Sequence, residues 1–351
     1  MARGLVIAAP RSGSGKTLVT LGLLAALRRA GHVVAPAKTG PDYIDPSFLG
    51  RAAGREAINL DPWAMSPSQI QALAAQQAVG AELLLVEGVM GLFDGAADGA
   101  GSTGDLAAAL RLPVVLVVDA ERQSQSVAPL VAGFARWRED VRVAGVILNR
   151  VATARHERML TTALRATSIP LLGAVPRRTE LALPERHLGL VMPGEIAAFD
   201  SFLDDAAEAM GDFVDLRALA SIAAPVAESH ALPLALPPLG QRIAVARDAA
   251  CAFLYPHLLD GWRAAGAELS FFSPLADESP RPVADAVFLP GGYPELHGAT
   301  LAAAGRFRSG LVAARDRGAL IYGECGGFMA LGEALVDKDG NSHAMAGLLP
   351  M

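Results

Sequence analysis

Apolar residues along this chain fall in short, nearly continuous runs, with helical stretches between them. Runs at 4–9, 32–37, 82–88, 113–120, 143–149 and 170–175 are the strand candidates of the first half. Helical patterns lie at 16–30, 67–78, 103–110, 124–137 and 155–166. A strand that is apolar throughout needs cover on both faces, as in a parallel sheet sandwiched by helices, and the β–α alternation predicts that class. From Ser221 to Gln241 the periodicity lapses in "SIAAPVAESHALPLALPPLGQ", which carries four prolines and reads as a linker. A second series follows, with strand-like runs at 242–248, 268–273, 285–292 and 319–322 and helical patterns near 253–265, 298–317 and 327–335. The expected architecture is therefore two three-layer α/β domains, 1–220 and 242–351, joined by a linker over 221–241.

Composition narrows the function classes. The chain has 351 residues, 52% apolar and 19% charged, enough for two sizeable cores. A net charge of −6 speaks against general nucleic-acid binding. No apolar span is long enough for a membrane helix, and the N-terminus lacks the features of a signal peptide. The cysteines, Cys251 and Cys325, stand far apart in dissimilar contexts. They do not form a disulfide framework, and the expected location is the cytoplasm.

The first candidate chemistry is "SGSGKT" at 12–17, directly after a strand and opening a helix. Gly13, Ser14 and Gly15 let backbone N–H groups turn toward an anion. Lys16 supplies a cation, and Thr17 offers a hydroxyl for Mg²⁺. The strict motif places a glycine where Pro10 stands, so the loop is a deviant one. Glu87 lies at the end of the strand in "LLLVEGVMGLFDG", where a carboxylate can hold Mg²⁺ beside phosphates. Glycines follow it and permit close backbone approach. "KTGPDYIDPSF" at 38–48 adds Lys38, Asp42 and Asp45 at the carboxyl edge of the sheet, where ligands of open α/β folds gather. Two carboxylates and a lysine there point to a metal or substrate role. Asn149 ends the strand of "GVILNRV", and its amide could read a purine edge.

Taken in order, "SGSGKT", "KTGPDYIDPSF", "VEGVMGLFDG", "VILNRV" and "LPERHLGLV" (183–191) resemble the cobyrinic or hydrogenobyrinic acid a,c-diamide synthases. The loop, Glu87 and Asn149 are also similar to dethiobiotin synthetase, a relative with the same nucleotide fold. The resemblance implies a first domain that binds ATP and Mg²⁺ and activates corrin carboxylates. It assigns Gly13, Ser14, Gly15, Lys16 and Thr17 to the phosphates and Asn149 to the base. Asp42, Asp45 and Glu87 would surround the metal and the reacting carboxylate, with Thr17, Asp42 and Glu87 as metal ligands. Lys38, Tyr43 and His187 are assigned to the substrate.

In the second half, "YGECGGFMAL" places Cys325 in a Gly-x-Cys-x-Gly turn between an apolar strand and a helical pattern, the cysteine counterpart of a nucleophile elbow. Small neighbours permit the strained turn, and a helix N-terminus favours the thiolate. "FLPGGYPE" (288–295) brings Gly291 and Gly292 as oxyanion donors. Together these resemble a class I glutamine amidotransferase, which implies that Cys325 attacks glutamine and releases ammonia. That family takes its catalytic histidine from well beyond the nucleophile, whereas this chain ends at Met351. His343 falls in an expected hairpin, "DKDGNSHA", and is not assigned as the base. The expectation is that the C-terminal strands and the base are missing.

The combined expectation is an ATP- and glutamine-dependent amidoligase that works on the a and c acetates of a corrin acid through acyl phosphates, in cobalamin biosynthesis. Its expected partners are small molecules, with no nucleic acid or membrane, and a homodimer is compatible with it. The Ala/Arg-rich composition leans toward the metal-free acid. Two alternatives stay open: a related tetrapyrrole enzyme, such as cobyric acid synthase or a nickel-sirohydrochlorin a,c-diamide synthase, and a partition-type regulatory ATPase.

Overall fold

The first strand, β1 (Arg3–Ala8), runs into the glycine loop and α1 (Lys16–Arg29). There follow β2 (Val34–Thr39), α2 (Asp45–Ala53), β3 (Ile58–Leu60), α3 (Pro67–Gln77), β4 (Leu83–Glu87) and α4 (Thr103–Leu110). Next come β5 (Val114–Asp119), α5 (Val127–Arg136), β6 (Val143–Val151), α6 (Ala154–Leu164), β7 (Leu171–Pro176), α7 (Phe199–Phe213), α8 (Leu216–Ile222) and β8 (Ala224–Pro225). The computed structural model describes residues 2–178, 181, 198–229 and 236–351. It divides into two units, Met1–Pro233 and Leu234–Met351.

The sheet of the first unit runs β3-β2-β4-β1-β5-β6-β7, and β8 pairs antiparallel with the start of β1. The long pairings are parallel. β2, β4 and β5 are buried along their whole lengths, as continuous apolar runs require. From β1 the chain crosses to β2 on one side of the sheet, and from β4 it crosses to β5 on the other. The loops after these neighbouring strands therefore diverge and leave a crevice at their carboxyl ends, the switch point where ligands of open α/β sheets bind.

Local signals set several helix starts. Ser66 and Ser102 each form a capping box, with Gln69 and Asp105 respectively. α1 is buried over Val19–Leu27 because α7 covers its outer side. A Cβ on Gly22 would lie 2.8 Å from the Ala206 carbonyl oxygen, so the two helices meet at backbone distance. Phe48 and Phe199 close the same layer edge to face, with ring centroids 4.9 Å apart.

Five elements of the first unit were not expected: α2, β3, α7, α8 and β8. Proline reads as a helix breaker, yet Pro46 sits in the first turn of α2, where its missing N–H costs nothing. β3 has only three residues and carries little pattern of its own. The stretch expected to begin the linker at 221 instead completes the first unit. Residues 216–222 are helical, β8 follows, and the Val226 N–H donates to the Ala2 carbonyl at 3.0 Å. Residues 230–235 of that stretch lie outside the described residues.

The second unit comprises β9 (Arg242–Ala246), α9 (Pro256–Ala264), β10 (Glu268–Phe272), β11 (Ala286–Leu289), α10 (Gly298–Ala303), α11 (Gly305–Asp316), β12 (Leu320–Gly323), α12 (Gly326–Ala330), β13 (Ala334–Val336) and β14 (Ser342–Ala344). Its parallel sheet has the order β10-β9-β11-β12, and β13 and β14 form a separate hairpin. Ile243, Val245 and Phe288 face Trp262 in one apolar layer, while Ala244, Leu289, Phe307 and Leu311 fill the other. The helix expected over 298–317 breaks at Ala304, whose ψ of 75° is not helical. The helix expected over 327–335 ends at Ala330, and β13 takes its last residues.

Candidate active site

The loop between β1 and α1 is built on two left-handed glycines, Gly13 at φ +79° and Gly15 at φ +85°. A Cβ on Gly15 would stand 2.1 Å from the Asn149 amide nitrogen, so this position needs glycine for room as well as for conformation. Asn149, at the carboxyl end of β6, is 2% exposed. Its Nδ2 donates to the Ser14 carbonyl at 3.0 Å, and its Oδ1 accepts from the Arg150 N–H at 3.0 Å. The amide expected at a purine base thus also holds the phosphate loop. Lys16 opens α1, and burial pushes its pKa down. Its ammonium makes no hydrogen bond or ion pair among the described residues.

Beside the loop, β4 delivers Glu87 and β2 delivers Lys38, paired in register across the two strands. The Thr17 hydroxyl donates to Glu87 Oε1 at 2.6 Å, and Lys38 Nζ lies 3.2 Å from the same oxygen. Lys38 also donates to Asp45 Oδ2 at 2.5 Å, so one buried ammonium joins two carboxylates. Burial opposes that charge, but Glu87 and Asp45 outweigh it and hold the Lys38 pKa above its usual range. Burial pushes the Glu87 carboxyl up, with Lys38 and Lys16 pulling against the shift. Asp42 Oδ1 accepts the Ile44 and Asp45 N–H groups at 2.7 and 3.0 Å and so closes the turn that leads into α2. Tyr43, half-buried, lies in the same loop.

In the second unit Cys325 follows β12 with φ 48° and ψ −117°, a conformation that costs an ordinary residue about 1–3 kcal/mol. Its thiol is exposed, while Cys251 is buried, and both are free. The turn packs on the end of β11. A Cβ on Gly327 would lie 2.0 Å from the Leu289 carbonyl oxygen, and one on Gly326 would lie 2.9 Å from that of Gly292. A Cβ on Gly291 would lie 3.3 Å from the Cys325 sulfur, so the structure brings the Gly291–Gly292 turn beside Cys325. His343 is tied elsewhere. Its Nε2 is 2.8 Å from Asp337 Oδ2, and its ring packs on Gly298. That hydrogen bond is the first reason the Asp337 carboxyl is held well below the usual range. No hydrogen bond or ion pair joins a histidine to Cys325 among the described residues.

Residues 5–191 match the CobQ/CobB/MinD/ParA nucleotide binding domain, and residues 242–351 match the CobB/CobQ-like glutamine amidotransferase domain. The chain is 58% identical over 352 aligned positions to the hydrogenobyrinate a,c-diamide synthase of Brucella anthropi, covering 99% of this chain and 81% of that protein. The proteins of the same name from Rhizobium meliloti and Rhodobacter capsulatus are 56% and 53% identical, each over 99% of this chain and 81% and 80% of theirs. The chain belongs to the hydrogenobyrinate a,c-diamide synthase family.

In this family member the structure gathers Lys16, Thr17, Lys38, Asp42, Asp45 and Glu87 at one sheet edge. His187 lies outside the described residues. The same edge contains residues that sequence reasoning missed. Asn59, on β3, donates to the Gly40 and Asp42 carbonyls at 2.8 and 2.7 Å and so holds the loop after β2. Thr103 Oγ1 donates to the Val89 carbonyl and accepts the Val89 N–H, both at 2.9 Å, fixing the loop after Glu87. Asp119 and Arg150 flank the phosphate loop from β5 and β6. No local motif marks these four, because their roles arise only between strands.

Among the described residues no group of three or more His, Cys, Asp or Glu is assembled as a metal cage. The donor set nonetheless suits Mg²⁺, which takes one or two carboxylates and fills its remaining positions with water and phosphate oxygens. Glu87 Oε2 is a buried oxygen with no partner, next to the Thr17 hydroxyl. An unpaired carboxylate oxygen in an apolar setting is costly unless a cation or proton meets it. No helix among the described residues is long and apolar enough to cross a membrane.

Proposed function

We propose that the chain amidates the a and c acetate carboxylates of hydrogenobyrinic acid, using ATP to activate each carboxylate and glutamine as the nitrogen source. The observation that carries the ligase half is the meeting of Lys16 and Thr17 with Glu87, Lys38 and Asp45 at one phosphate loop. The choice of acid is supported by the names of relatives at 53–58% identity. A regulatory ATPase would leave the amidotransferase domain over 242–351 without a role.

A carboxylate is a poor electrophile, and an acyl phosphate is a good one. The substrate oxygen attacks the γ-phosphorus of ATP, ADP leaves, and ammonia then displaces phosphate from the acyl carbon. Catalysis of the transfer is positioning and charge neutralisation. Lys16 and the loop N–H groups face the transferred phosphate. Bound Mg²⁺, with Thr17 and Glu87 nearest, would offset charge on the phosphate oxygens. Lys38 keeps Asp45 and Glu87 apart and oriented. Asp42 spends Oδ1 on the turn before α2 and presents Oδ2 to the metal or to a proton of the attacking ammonia.

In the second unit Cys325 attacks the glutamine side-chain carbonyl, with Gly291 and Gly292 presented to the oxyanion. Ammonia departs, and water releases glutamate from the thioester. The reading carries with it a cytoplasmic enzyme, with a homodimer as the assembly to test by sedimentation. The deciding experiment incubates the chain with hydrogenobyrinic or cobyrinic acid, ATP, Mg²⁺ and a nitrogen donor, and follows product mass. Two amides should appear on the metal-free acid. Cys325→Ala should lose synthesis from glutamine and keep it from ammonium salts. Glutamine-dependent synthesis that survives Cys325→Ala refutes the assignment.

A further inference from the structure

β6 carries an irregularity at the site. Its register with β7 passes from Leu148↔Ala174 to Val151↔Pro176, three residues against two, with one extra residue in the bulged strand. Consecutive strand residues normally point to opposite faces. Here both Asn149 and Arg150 reach the phosphate loop, and Arg150 holds φ +59°. Arg150 Nη1 donates to the Gly13 carbonyl at 2.9 Å and to Asp119 Oδ2 at 2.9 Å. Asp119 ends β5 with its side chain 7% exposed; its other oxygen takes the Glu121 N–H at 2.9 Å, and Arg11 approaches at 3.4 Å.

A trans peptide is planar, so its C=O and N–H point in opposite directions. Holding the Gly13 carbonyl from the β6 side turns the Ser14 N–H the other way. Holding the Ser14 carbonyl through Asn149 fixes the Gly15 N–H in the same manner. We propose that the Asn149–Arg150 bulge, anchored by Asp119, is a positioning device that sets two successive loop peptides in the orientation a nucleoside triphosphate requires. Arg150 contacts the loop at the Gly13 carbonyl and is held there by Asp119. It acts through Gly13, with Asp119 fixing its fork. The inference rests on ATP use at this loop and not on which acid is amidated.

The test uses the full chain and reads ATP affinity by equilibrium titration, separately from amide formation. Arg150→Gly removes the side chain and relieves the left-handed backbone. The expected result is an unchanged or raised Tm together with ATP binding weakened ~10-fold to ~100-fold, the loss of hydrogen bonds to a charged group. KM for ATP should rise while KM for the corrin acid and glutamine stays put, and kcat should change by less than KM. Arg150→Lys should recover part of the affinity, because an ammonium can still reach the Gly13 carbonyl. Asp119→Asn should weaken ATP in the same direction. ATP affinity within ~2-fold of the parent in Arg150→Gly overturns the proposal, as does a lysine variant no better than glycine. If no corrin acid is amidated yet Arg150→Gly loses ATP, the function proposed above falls and the positioning role stands.

Discussion

Lys38→Met offers the most demanding check on the cluster at the sheet edge. Methionine keeps most of the volume and removes the ammonium from between Asp45 and Glu87. Lys38 is 3% exposed, Glu87 is 0% and the Asp45 side chain is 16%, so water cannot replace the lost cation. Breaking a buried pair by removing one partner costs about 3–5 kcal/mol, because the remaining charge is left uncompensated. A folding unit of this size loses about 2–4 °C of Tm per kcal/mol, so the transition of the first unit should fall by about 6–20 °C. Glu87, already pushed up by burial, should then take a proton at higher pH than in the parent. Glu87→Gln removes the charge that Lys38 balances. The double variant should therefore be more stable than the two single losses add up to, by about 1–3 kcal/mol in the cycle. Calorimetry of the four proteins measures the coupling, and synthesis with either glutamine or ammonium should be absent in all three variants. A Lys38→Met protein that melts with the parent, or strictly additive losses, would refute the reading of Lys38 as the bridge.

Two further outcomes follow from the same geometry. Gly327→Ala would place a Cβ 2.0 Å from the Leu289 carbonyl oxygen, so the elbow must shift. Glutaminase activity should drop by at least ~10-fold while ammonium-dependent synthesis persists, and a glutaminase indifferent to this change would contradict the elbow geometry. A raised Glu87 pKa means that protons compete with Mg²⁺ for its oxygens as pH falls. The Mg²⁺ concentration that half-maximally supports ATP binding should rise as pH is lowered, and Glu87→Gln, read by the same equilibrium titration, should flatten that dependence.

How far the site could be read in advance depended on how local each residue's role is. The glycine loop, Lys16 and Thr17 were legible because left-handed glycines and a helix start are short-range requirements. Cys325 was legible for the same reason, as its turn needs small residues on both sides. Asn149 was found at the end of its strand, while its hold on the Ser14 carbonyl was not, since only the approach of β6 to β1 puts its amide against Ser14. Asn59, Thr103, Asp119 and Arg150 each act across a strand gap, and nothing within a few residues of any of them announces a partner. α2 was hidden because Gly-Pro-Asp is also turn chemistry; here that turn leads into a helix that Phe48 and Leu49 anchor in the core.

By itself the sequence determined the α/β class, most of the strands along the chain, the phosphate loop, the strand-end Glu87 and the cysteine elbow. Each follows from burial periodicity or backbone conformation over a handful of residues. Tertiary structure decided which side chains share a charge. Lys38 meets Glu87 because β2 and β4 are neighbours in register, and Arg150 meets Gly13 because a bulge turns it off the alternating face of β6. Register and bulges are set by the packing of the whole sheet, so the residues that orient the site emerge only once the strands are side by side.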